Sequence, residues 1–228
     1  MGVENMKIVF DTGVLISFSQ TCLLPALSEI KAGVGEFLIT TGVKYECIDR
    51  VRNNMRFKLS SLRINEQLND FVFTVYPSSR KMDEMTKEIL SLTNSIFYIN
   101  GKPLHIIDFG EAECLSLLSL EDASCLAIDE RTTRMLIEDP NTLLEVLKKN
   151  YNSRGIELNL KRYNKFKSII GEVSVIRSVD LLSFAYERGL LKSRIASKEY
   201  LKSALYALKF NGCSVSFEEI DAYILGLK

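Results

Sequence analysis

Four acidic residues stand where carboxylates could do chemistry. Asp11 closes the apolar run of "MKIVFDTGVLIS" (6–17), and Asp129 closes "CLAI" (125–128). Glu46 falls within one helical turn of Val43, just after "FLIT" (37–40), and Glu111 opens an apolar helical pattern behind Asp108. If these positions converge, their charges must be neutralised, because two unit charges about 4 Å apart repel by about 4 kcal/mol at an effective dielectric near 20. A divalent cation does this. Mg²⁺ takes oxygen ligands and binds through a few carboxylates, whereas zinc prefers Cys or His, and the chain has one histidine, His105. Such a site suits metal-assisted phosphodiester hydrolysis. Each acid also has a plainer reading. Asp11 could cap a helix, Glu111 could be the capping-box partner of Asp108, Glu46 could be an exposed helix acid, and Asp129 with Glu130 could favour a helix start. His105 and Glu113 read as a loop histidine and a helix-face acid.

The elements that must position these groups follow from apolar periodicity. Short β-branched runs predict strands at Lys7 to Phe10, Phe37 to Thr40, Phe71 to Val75, Cys125 to Ile128 and Val173 to Ile176. Helical spacing lies between them, over Leu15 to Ile30 with a break at Pro25, Val43 to Leu68, Lys81 to Leu92, Glu111 to Leu120, Arg131 to Glu138 and Pro140 to Lys149. The alternation predicts an α/β fold with a mostly parallel sheet covered on both faces. Ligands of such sheets gather beyond the carboxyl ends of the strands, where Asp11 and Asp129 fall. Asn150 to Lys167 is polar and weakly periodic and reads as a mobile loop. Val179 to Arg188, Ser197 to Lys209 and Ser216 to Leu227 predict helices. Residues 1–177 therefore read as an α/β domain with an insertion at 139–171, and 178–228 as a helical extension packed on it.

Of the 228 residues, 46% are hydrophobic and 25% charged, with zero formal net charge, which fits a globular chain and excludes a uniformly basic nucleic-acid coat. Cys22, Cys47, Cys114, Cys125 and Cys213 are scattered without a C-x-x-C pair, so a reducing cytoplasm is expected. No run approaches a membrane span and no export leader is evident, which predicts a soluble intracellular protein. Two local basic segments remain. One carries Arg50, Arg52, Arg56, Lys58 and Arg63; the other carries Lys148, Lys149, Arg154, Lys161, Arg162, Lys165 and Lys167 with Tyr151, Tyr163 and Phe166 among them. Each fits a solvated helix face. The aromatics raise the alternative of unpaired RNA held by stacking and phosphate contacts, with Arg52, Arg56, Lys161, Arg162 and Lys165 as candidates.

The segments "IVFDTGVLIS", "LITTGVKYECI", "GEAECLSLL" and "CLAIDERTTR" together resemble the PIN-domain ribonucleases, in particular the archaeal and bacterial subgroup with a GEAE third-acid motif. The resemblance covers residues 6–138 and, through "VSVIRSVDLLSFAYERGLL", 172–191. It implies a PIN-like three-layer α/β/α sandwich and an acidic cluster of Asp11, Glu46, Glu111 and Asp129 holding Mg²⁺ or Mn²⁺. Thr12, Glu113, Glu130, Arg131 and Arg134 would support it. The implied activity is cleavage of single-stranded RNA, in many members as a toxin neutralised by an antitoxin protein. The chain departs from the pattern in its long 139–171 connection, in the helices after Leu191, and in having Ile128 rather than Ser or Thr before Asp129. Apolar faces on the late helices fit a homodimer interface or a core. The competing reading is a catalytically silent PIN-like module that binds RNA or a protein. Asp11-Thr12-Gly13 also matches the aspartic-protease tripeptide, but one copy would require a homodimer, and that fold is all-β.

Overall fold

The computed structural model describes residues 6–123, 125–153, 155–191 and 194–227. Five parallel strands form the central sheet: β1 (Met6–Phe10), β2 (Gly35–Thr40), β3 (Thr74–Tyr76), β6 (Cys125–Ala127) and β8 (Ser174–Ile176), in the order β3-β2-β1-β6-β8. The registers are parallel throughout, with Ile8 beside Phe37 on one side and beside Cys125 on the other. Buried on both faces, these strands are apolar runs rather than alternating ones. The chain steps outward from β1 through β2 to β3, then returns to the other side of β1, so the strand order reverses between β1 and β6. Asp11 follows β1 directly and Asp129 follows β6 after Ile128, and the Asp11 amide donates to the Ala127 carbonyl at 3.0 Å.

Right-handed crossovers place the connections of the two half-sheets on opposite faces. On one side lie α1 (Thr12–Gln20), α2 (Ala26–Val34) and α4 (Lys58–Asn69), with α1 packed on α4. On the other lie α5 (Arg80–Thr93), α6 (Phe109–Leu120) and α9 (Leu160–Ile170), which pack on one another, α6 also touching β1, β2 and β6. Helices α7 (Arg131–Glu138) and α8 (Pro140–Asn150) follow β6, split at Asp139, which caps α8 through the Asn141 amide at 2.9 Å with Pro140 at its first position. The late helices α10 (Ser178–Glu187), α11 (Lys198–Phe210) and α12 (Phe217–Gly226) continue the first layer, α10 touching α1. Leu181, Leu201 and Leu205 share one buried cluster with Ile8 and Phe10.

Several expectations need correction. Asn150 to Lys167 is not a mobile loop: it contains β7 (Ile156–Leu158) and most of α9, and β7 pairs antiparallel with β4 (Phe97–Ile99), which also pairs with β5 (Lys102–Pro103). Helix α9 starts where the Asn159 side chain accepts from the Arg162 amide at 3.1 Å and buries Phe166 and Ile170, two apolar anchors that the intervening Lys and Ser residues conceal. The strand expected from Phe71 begins only at Thr74, because Phe71 has a φ of 57° and is exposed. The helix expected over Val43 to Leu68 divides into α3 (Thr41–Lys44), a π-helical turn at Tyr45–Asp49, a run of turns and α4. Among the described residues no helix is long and apolar enough to cross a membrane.

Candidate acidic site

Each acid is fixed by its local fold. Asp11 caps α1, its Oδ2 accepting the Gly13 amide at 2.9 Å. A Cβ at Gly13 would come within 3.1 Å of that oxygen, so the glycine permits the close approach. Glu46 rides the π-helical turn closed by the Arg50 amide on the Tyr45 carbonyl at 2.8 Å, a wide turn that recurs at functional sites. The Thr12 hydroxyl donates to Glu46 Oε2 at 2.7 Å. Glu111 sits in the first turn of α6 as the capping-box partner of Asp108, accepting its amide at 2.7 Å, while the Thr133 hydroxyl donates to its other oxygen. Asp129 is only 4% exposed. Its Oδ1 accepts the Ser178 amide at 2.8 Å, and its Oδ2 is buried without a hydrogen-bond partner.

Asp11, Glu46, Glu111 and Asp129 border one cavity of about 380 Å³ together with Asp108 and Glu130, and among the described residues no Lys or Arg lines it. The capping readings and the convergence are thus both true. Burial, with the nearby Glu46 and Asp129 carboxylates adding repulsion, pushes Asp11 up to about 6. Burial likewise pushes Glu111 up to about 7, with Asp11 and Glu130 adding to it. The Cys47 thiol, buried and facing Asp11, is driven up to about 12, so it offers no thiolate. The donors bordering the cavity are therefore hard oxygens, and the lone His105 is engaged with Asp108 at 2.7 Å on the exterior. Among the described residues no three His, Cys, Asp or Glu side chains are drawn together closely enough to hold a metal ion as they stand.

The remaining expected residues are dispersed. Thr12 steadies Glu46, and Glu130 caps α7 by accepting the Thr133 amide at 2.7 Å. Glu113 does not border the cavity; buried, it accepts from the Thr40 hydroxyl and from the Gly42 amide at 3.1 Å, tying β2 to α3. Arg131 is exposed, and Arg134 pairs with Glu138 at 3.5 Å while its Nε is buried without a hydrogen-bond partner. Arg52 and Arg56 lie exposed ahead of α4, Arg56 over the Phe57 ring at 5.2 Å. Lys161, Arg162 and Lys165 lie on α9 in the opposite layer, Lys165 paired with Glu88 at 2.7 Å. None of these five borders the acid cavity. Arg154 of the second basic segment lies outside the described residues.

Sequence reasoning missed four contributors. Thr133 holds Glu111 and Glu130 together, and the Ser178 amide holds Asp129. Asn211 and Gly212, between α11 and α12, line the cavity, with the Asn211 carbonyl accepting from the Ser17 hydroxyl at 3.2 Å. The Asn-Gly pair signals a turn, but nothing local assigns that turn to the acids. Comparison of the chain with protein-family models, curated proteins and solved structures finds no match.

Proposed function

We propose that this protein is a PIN-type endoribonuclease that hydrolyses single-stranded RNA with Mg²⁺ or Mn²⁺ held by Asp11, Glu46, Glu111 and Asp129. The observation that carries this reading is the convergence of acids from four separated segments on one cavity that no Lys or Arg among the described residues lines, at the point where strand order reverses. The donor set fits a hard divalent ion, and the buried, unpartnered Asp129 Oδ2 is an oxygen in need of a positive partner. When bound, the ion supplies charge neutralisation and an activated water for phosphodiester hydrolysis.

The protein's own part is positioning. Thr12 orients Glu46, Thr133 orients Glu111, the Gly13 amide holds Asp11, and the Ser178 amide holds one oxygen of Asp129. Burial pushes Glu111 up to about 7 in the metal-free chain, so binding the cation would release its proton near neutrality. Toxin action countered by an antitoxin accompanies this proposal through the sequence resemblance, a homodimer through the apolar faces of the late helices, and a cytoplasmic location through the scattered, unpaired cysteines.

The test is incubation of the purified protein with single-stranded RNA and Mn²⁺. Products are expected, and EDTA or Asp11→Asn should abolish them; undiminished cleavage by Asp11→Asn would remove Asp11 from the mechanism. A second reading, a silent RNA-binding module, draws on the fact that both Glu111 oxygens are already occupied by the Asp108 amide and Thr133. It requires that metal titration detect no binding while RNA affinity persists and falls with Lys161 and Arg162 substitutions.

A further inference from the structure

Beside Asn211 and Gly212 lies an aromatic cluster that the acids do not use. Phe210, the last residue of α11, is 73% exposed, and Phe217, the first of α12, is 46% exposed. Their ring centroids are 5.8 Å apart with planes inclined at 58°, so neither face covers the other. Tyr206 extends the cluster at 5.7 Å from Phe217, and the Lys209 ammonium lies 4.4 Å above the Phe217 ring.

Position and charge select the occupant. Phe210 directly precedes Asn211 and Gly212, which border the acid cavity, and the Ser17–Asn211 hydrogen bond fixes that junction. Lys209 donates to the Val215 carbonyl, and among the described residues it has no carboxylate within ion-pair distance; Lys202, by contrast, is paired with Asp221 at 2.8 Å. One cation without a carboxylate partner thus covers the Phe217 ring and leaves the exposed Phe210 ring as the face open to a base. Unpaired bases stack on aromatic rings with little regard to sequence, whereas paired bases have no free face to offer.

We propose that Phe210, backed by Phe217 and Lys209, forms a stacking platform that receives an unpaired base of single-stranded RNA next to the segment that borders the acid cavity. This deepens the nuclease reading and rests on it for the choice of RNA.

The chain contains no tryptophan, so Phe210→Trp installs one fluorophore on the platform. In the full chain carrying Asp11→Asn to block cleavage, a single-stranded oligouridylate should quench that emission saturably, and a duplex of equal length should not. By anisotropy, Phe210→Ala should bind the labelled oligouridylate about tenfold more weakly, the scale of one lost base stack. Full-affinity binding with unquenched emission overturns the platform, as does absence of RNA binding. If Phe210→Ala instead abolishes self-association in sedimentation and leaves RNA affinity intact, the surface is a protein interface and the proposal falls. The nuclease reading fails separately. RNA binding through Phe210 without Mn²⁺-dependent cleavage leaves the platform standing alone, and cleavage with an unchanged KM in Phe210→Ala leaves only the nuclease.

Discussion

Thr133 serves two acids at once, giving its amide to Glu130 and its hydroxyl to Glu111, while Thr12, the Gly13 amide and the Ser178 amide each serve one, and all are neutral. Neutral donors leave the negative charge in place, which has a consequence for pH. Asp11 and Glu111 titrate at about 6 and about 7 instead of at 3.8 and 4.5. As pH rises from about 4 to 7, the unfolded chain releases these protons first and binds fewer than the folded chain, so they lower metal-free stability across that window. In EDTA, Glu111→Gln should therefore flatten the decline in urea midpoint between about pH 5.5 and 7.5, and Mn²⁺ at the upper pH should raise the wild-type midpoint. Identical slopes for variant and wild type would show that Glu111 is not buried as a titrating group. Glu113 makes a different prediction. A Cβ at Gly42 would lie 2.1 Å from Glu113 Oε2, which is already held by Thr40 and the Gly42 amide. Gly42→Ala should cost about 1–3 kcal/mol of stability in denaturant unfolding; a neutral result would mean that the β2–α3 junction yields freely.

Between elements, Arg177 links the α/β layers to the late helices. It is 8% exposed, and its guanidinium meets both Asp180 oxygens at 2.8 Å, Glu219 at 2.5 Å and the Ser214 carbonyl at 3.1 Å. The Ser214 amide in turn donates to the Asp129 carbonyl at 3.3 Å. Since both carboxylates are partly exposed, Arg177→Met should cost about 2 kcal/mol rather than the full penalty of a buried charge network. Arg177→Lys should recover only part of that, because an ammonium cannot reproduce the forked contact. Equal midpoints for wild type and Arg177→Met would sink this account. Elements of this kind differ in how well sequence reveals them. The buried strands β1, β2 and β6 stood out as apolar runs, and the helix starting at Arg131 was bounded by Asp129-Glu130 and Pro140. Strands β4, β5 and β7 span two or three residues each, one containing Pro103, too short for periodicity to register. For the site, the acids at strand ends were legible because a parallel sheet brings its carboxyl edge together. Asn211 was not, since its approach depends on how α11 folds back, and Ser178 was not, since only the β6–β8 register, invisible in local periodicity, sets it beside Asp129.

At the scale of the whole molecule, one buried cluster runs from Ile8 to Ile220 and joins early and late segments. Its compactness can be counted in thiols. Cys22 is exposed, while Cys47, Cys114, Cys125 and Cys213 are buried and unbridged. A thiol reagent should label one cysteine rapidly in the native protein and the other four only on unfolding. Rapid labelling of Cys213 would reveal that α11 and α12 open independently. The cavity wall formed by Asn211 and Gly212 bears on how the protein is made. Synthesis runs from the amino end, so all four acids leave the ribosome well before the segment that borders them. A nascent chain would carry its acids before the segment that completes the cavity around them, so the pocket takes shape only late in synthesis.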